Sequence, residues 1–182
     1  MNTTTSTCLV AGLAALTLLT SGCGKAPAPQ SSAPTASVPP AITSVFQPVA
    51  TTEAMKPIPE LRAYVAPGDT VILEAKVMGT ETPFVDHRAL FVVGDEATLT
   101  SCDLREDDHC STPWDNCCDD PHALRIGTAT IQIVDAEGNV VKHGIRGVNG
   151  LRELSRVRIR GVVAPQSTGD ALIINATGIE LL

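Results

Sequence analysis

From Thr70 onward the chain repeats one pattern: apolar side chains recur at every second position, in runs too short to be helices. Thr70 to Met78 places Val71, Leu73, Ala75 and Val77 on one face, with Glu74 and Lys76 on the other. Pro67-Gly68-Asp69 before it and Gly79 after it are turn signals. Ala89 to Val93 is a short, wholly apolar strand, and Thr128 to Val134 alternates again through Ala129, Ile131 and Ile133. Asp135 to Asn139 reads as a hairpin turn into Val140 to His143. Val157, Ile159, Val162 and Val163 form the next strand, broken at Gly161, with Arg156, Arg158 and Arg160 on its other face. After a turn at Pro165 to Asp170, Ala171 to Ala176 and Ile179 to Leu182 close the chain. Aromatic residues are only 3% of the composition, so Val, Ile, Leu and Ala must build the core, which suits strands. The expectation is an all-β fold of five or six short strands without a long helix.

The run Leu151-x-x-Leu154-Ser-Arg-Val157-Arg-Ile159-Arg-Gly161-Val-Val, then a turn and Leu172-Ile-Ile-Asn-Ala-Thr-Gly178-Ile, resembles the last two strands of an OB-type barrel. In that comparison the turn at 151–154 stands where the barrel's helix would sit. The resemblance implies a small OB-like five- to six-stranded barrel over residues 60–182, with a cysteine-rich insertion at 95–127. Gly144, Gly147 and Gly150 are spaced at three and precede no useful helix, so they read as turn glycines and not as a phosphate-cradling loop.

The N-terminal third has a different character. Residues 9–19 form an apolar run too short to span a bilayer and suited to the core of a signal peptide. Thr20-Ser21-Gly22-Cys23 follows, and small residues ending in cysteine resemble the cleavage box of bacterial lipoproteins. That resemblance implies a signal peptide over 1–23, a lipid on Cys23, a membrane partner through that lipid, and an extracytoplasmic place in the cell envelope. Residues 24–59 contain eight prolines amid Ala, Ser and Thr, and such a composition reads as a disordered or polyproline-like tether.

Nearly all the unusual chemistry lies in Cys102 to His122, where four cysteines, two histidines, the sole tryptophan and seven acidic side chains share 21 residues. In an exported protein, Cys102, Cys110, Cys117 and Cys118 are expected to form two disulfides that staple a long loop. A bond between the neighbouring Cys117 and Cys118 would be strained. That leaves 102–117 with 110–118, or 102–118 with 110–117. The alternative is a Zn or Cu site drawn from the same four cysteines with His109 or His122, since soft thiolate and imidazole donors suit both ions. No other cofactor is implied. Asp103, Glu106, Asp107 and Asp108 lack the spacing of a calcium loop and read as a solvated acidic run. Trp114 reads as the plug that seats the loop on the barrel. The segment Cys110-Ser-Thr-Pro-Trp-Asp-Asn-Cys-Cys118, with these strands after it, resembles a group of uncharacterised bacterial exported lipoproteins that carry Thr-Pro-Trp-Asp-x-Cys-Cys.

Nucleophile, zincin, kinase and Walker patterns are missing from the sequence, and the paired carboxylates occur only as loop runs. Catalysis is therefore not the expectation. A net charge of -7 and five aromatic residues argue against nucleic acid as a partner, since phosphates would be repelled and stacking platforms are few. Lys142, Arg146, Arg152, Arg156, Arg158 and Arg160 make 142–160 basic, and this stretch is expected to face the acidic loop across the fold. The sequence thus points first to a non-catalytic, lipid-anchored envelope module that binds an envelope protein or glycan. A metal-binding or electron-transfer lipoprotein comes second, and an OB-type binder of nucleic acid or glycan through Arg156, Arg158 and Arg160 third.

Overall fold

The structure, a computed structural model, describes residues 37–50, 55–106 and 109–182. The expected signal peptide, Cys23, residues 24–36 and 51–54 of the tether, and Asp107 and Asp108 lie outside the described residues. Five strands form a closed barrel in the order β1-β2-β3-β5-β4: β1 (Thr70–Lys76), β2 (Leu90–Gly94), β3 (Thr128–Gln132), β4 (Arg156–Val163) and β5 (Ile173–Leu181). All neighbours are antiparallel except β3 and β5, which run parallel from Thr130↔Ile173 to Gln132↔Asn175. The body is the expected OB-like barrel.

The alternation in sequence becomes inside and outside. Val71, Leu73 and Ala75 point inward with Phe91, Val93, Ile131, Val157, Ile159 and Ile174, all buried in one continuous core. Phe84 stacks on Phe91 with ring centroids 5.9 Å apart. Where the two final segments were expected as separate strands, β5 is continuous, because a bulge against Arg160/Gly161 absorbs the break. Gly161 sits where a Cβ would lie 2.4 Å from Ile174 Cγ2 and 2.6 Å from the Asn175 carbonyl oxygen, so only glycine fits the bend. Between β3 and β4 the Asp135 carboxylate accepts the amides of Glu137 and Asn139 and makes the expected turn. No α-helix forms there, and Ile145 and Leu151 enter the core instead.

The folded unit starts earlier than residue 60. A short helix, α1 (Pro40–Thr43), buries Ile42 completely, and the chain after it lies along β5. Ile179 N–H donates to Val45 O at 2.8 Å, Gln47 N–H to Ile179 O at 3.2 Å, and Val49 N–H to the Glu180 carboxylate at 3.1 Å. The second half of β5 runs past the end of β3, which leaves a row of backbone groups that this strap satisfies. A second helix, α2 (Ile58–Tyr64), buries Ile58 and Leu61 in the same core. Its Arg62 donates to Thr128 O at 2.6 Å and to Gly169 O at 3.1 Å, and burial pushes the guanidinium below its ordinary value. Proline-rich composition thus conceals four well-buried anchors, Ile42, Val45, Val49 and Ile58, because they are spaced irregularly.

On the outer wall Arg158 donates to Glu74 at 2.6 Å and to Glu180 at 2.8 Å, a ladder across β1, β4 and β5. Its hydrogen bonds to Glu74 chiefly hold the guanidinium above its already high ordinary value. Arg156 pairs with Glu96 at 2.8 Å and Arg146 with Glu153 at 2.9 Å. The expected confrontation of the basic stretch with the 102–122 carboxylates does not occur at these three arginines. Strand pairing gives Arg158 its acids, while Arg156 and Arg146 find theirs in Glu96 and Glu153, outside the strands.

Candidate functional site

The insertion at 95–127 occupies the span between Gly94, the last residue of β2, and Thr128, the first of β3. A bond from Asp95 N–H to Gly127 O, 2.9 Å, closes its neck. Its descending limb ends in a short helix, α3 (Pro121–Gly127), whose N-cap Asp120 accepts the amides of His122 and Ala123. Asp-Pro before an apolar run is the sequence signal for this start. The excursion forms a crown over one end of the barrel.

Backbone wiring brings the distant cysteines together. Cys102, on a single 3-10 turn (Cys102–Leu104), donates its N–H to Asp115 O at 2.9 Å, and Asp103 donates to Pro113 O at 2.8 Å. These two bonds lay the first limb against the Thr-Pro-Trp-Asp segment, just before Cys117. Asp119 ties the other side: its carboxylate accepts from Thr100 N–H at 2.9 Å, from Asn116 Nδ2 at 2.9 Å and from the Arg105 guanidinium. Asn116 is fully buried, and its Oδ1 finds no partner within the described residues. Trp114, half-buried, donates its indole N–H to Glu81 O at 2.8 Å, which ties the crown to the β1–β2 connection.

The four sulfurs meet at Cys117. Its Sγ lies 3.9 Å from Cys102, 3.8 Å from Cys110 and 3.9 Å from Cys118. Cys102, Cys110 and Cys117 lie within 4.8 Å of one another and could hold a metal ion. Cys102 is fully buried and forms the wall, while Cys110, Cys117 and Cys118 face solvent. A disulfide needs sulfurs about 2.0 Å apart. A tetrahedral thiolate site with Zn–S bonds of about 2.3 Å has S···S edges of about 3.8 Å, which is the spacing around Cys117.

Neither histidine joins this group. His122 lies on α3 with its Nδ1 2.9 Å from the Arg125 guanidinium, and His109 is exposed outside the trio. The helix and the Asp120 cap carry His122 away from the sulfurs. Of the acidic run, Asp103 is engaged inward, by Lys76 at 3.2 Å. Lys76 was legible only as an outward-facing strand residue, yet it is 6% exposed. Arg156 and Arg158, two of the residues proposed to meet phosphate, are held by carboxylates, Arg156 by Glu96 at the start of the insertion and Arg158 by Glu74 and Glu180 on the barrel wall. Comparison with protein-family models, curated proteins and solved structures finds no match for this chain.

Proposed function

We propose that the chain is an exported, lipid-tethered OB-like module whose crown holds one soft metal ion, Zn(II) or Cu(I), through thiolates, as a binding module and not a catalyst. The observation that carries this reading is the sulfur spacing: three thiols from separate parts of the crown converge within 4.8 Å, and the two edges that meet at Cys117, 3.9 and 3.8 Å, are those of a thiolate-bound metal. Cys118, 3.9 Å from Cys117 on the solvent side, is the nearest candidate for a fourth donor. Export supports a role in holding or passing on metal outside the cytoplasm, and the lipid on Cys23 would keep the module at the membrane.

The test is metal analysis of the full chain, purified under reducing conditions without chelator. One equivalent of Zn or Cu, lost in Cys117→Ser, is the expected result. A metal-free protein whose four crown cysteines all resist alkylation until reduced would overturn it in favour of a two-disulfide staple. That second reading draws on the same contacts, since Cys102 and Cys110 each approach Cys117 closely enough to bond after a small side-chain movement.

A further inference from the structure

We infer that Lys76 is the positioning residue of the crown's thiolate site, an assignment that rests on the metal reading above. Lys76 ends β1, where its backbone stands opposite Gly94 on β2 and Arg156 on β4, beneath the crown. Its ammonium donates to Ser101 Oγ at 2.8 Å and to the two oxygens of Asp103 at 3.2 and 3.3 Å. Ser101 donates in turn to Asp103. These two acceptors flank Cys102, the only fully buried sulfur of the trio. One strand residue therefore grips both neighbours of the innermost ligand.

Barrel stability does not require a lysine here. A buried ion pair gains little over well-packed apolar side chains of the same volume, because desolvating both charges offsets their attraction. Lys76 has a side chain only 8% exposed, so the same space would accept methionine with less desolvation. A fixed cation is instead suited to the neighbourhood of grouped thiolates. Three thiolates with a divalent ion leave one net negative charge, and acidic Asp115 and Asp119 stand on the adjoining limb. Arg105 follows on the same turn but is committed to Asp119. Lys76 is the cation built into the rigid wall, and through Ser101 and Asp103 it sets where the Cys102 sulfur stands. Groups that hold metal ligands in this way typically change affinity by about 10–100-fold when removed.

The experiment loads the full chain with Co(II), a spectroscopic stand-in for Zn(II), and compares wild type, Lys76→Met and Lys76→Arg in competition with a chelator. Lys76→Met leaves the Asp103 carboxylate without its cation and is expected to melt below wild type without metal, yet, at a temperature where both are fully folded, to bind Co(II) about 10–100-fold more weakly with altered thiolate-to-cobalt bands. Lys76→Arg should recover most of the affinity, since it retains the charge and the donors. Wild-type affinity and an unchanged spectrum in Lys76→Met would overturn the assignment. So would a loss that follows only the folded fraction and is not rescued by arginine. Absence of thiolate bands in the wild type would instead overturn the metal reading itself, and this assignment with it.

Discussion

Replacing Ile42 by alanine separates a tether from a strap. Ile42 is 0% exposed and belongs to the same core cluster as Leu73 and Ile179, so truncation leaves a cavity. Three carbons leave the core, worth roughly 0.8 kcal/mol each in transfer, and incomplete collapse adds to that, for about 3 kcal/mol in all. The four-residue α1 has no stability of its own, because a single turn hardly repays nucleation, so the strap depends on Ile42, Val45 and Val49. At about 3–4 °C per kcal/mol for a domain of this size, Tm should fall by roughly 10 °C. Thr43→Ala, at an exposed position one residue on, should change stability by less than about 0.5 kcal/mol. Urea unfolding followed by circular dichroism measures both, and a reduced m-value in Ile42→Ala would mean the whole strap has come off β5. If the two variants melt together, residues 37–50 contribute nothing and the packing argument is wrong.

Gly161→Ala forces a methyl against Ile174 and the Asn175 carbonyl, so a loss of about 2–3 kcal/mol is expected in thermal melts, and a silent substitution would remove the steric account of the bulge. Asp119→Ala removes the shared acceptor of Thr100, Arg105 and Asn116 and leaves buried Asn116 with no partner for its amide group. It should cost about 2–3 kcal/mol and weaken metal retention, as read by melting and by chelator competition. Cys23→Ala should abolish incorporation of labelled fatty acid during expression in a bacterial host, whereas continued labelling would dismiss the lipid.

The barrel was legible because one-sided burial writes a two-residue period into a strand: β4 keeps it cleanly through Val157 and Ile159, and β1 keeps it at Val71, Leu73 and Ala75 although Ile72 and Lys76 on its other face are buried as well. The insertion was legible at both ends, since the apolar run 89–93 stops at Gly94 and alternation resumes at Thr128. Ile42, Val45 and Val49 were not, because their burial answers to the open half of β5, far away in sequence, and imposes no period on a segment full of proline. The four cysteines were conspicuous, but their relation was not. Whether thiols bond or surround a common point depends on hydrogen bonds such as Cys102 N–H to Asp115 O, which side-chain identity does not encode. Lys76 was the residue least open to a sequence reading. Alternation assigns it to the outer face, and only the crown folding over that face buries it.

The crown's hydrogen bonds bear directly on which reading of the sulfurs holds. If disulfides shape the loop, each should contribute about 2–4 kcal/mol, and replacing all four crown cysteines by serine should unravel residues 95–127. The wiring argues otherwise. The Asp95 to Gly127 neck, the Cys102 to Asp115 and Asp103 to Pro113 bonds, the Asp119 hub and the Trp114 to Glu81 anchor all form without any S–S bond. Together they hold the limbs where the sulfurs meet, which is the preorganisation that a metal site needs and a staple does not. The quadruple serine variant should therefore keep the crown amides of residues 102 and 103 protected in hydrogen exchange and melt within a few degrees of the metal-free wild type. Rapid exchange at those two amides, with the barrel intact, would show that sulfur bonding builds the crown and that the thiols converge as its consequence.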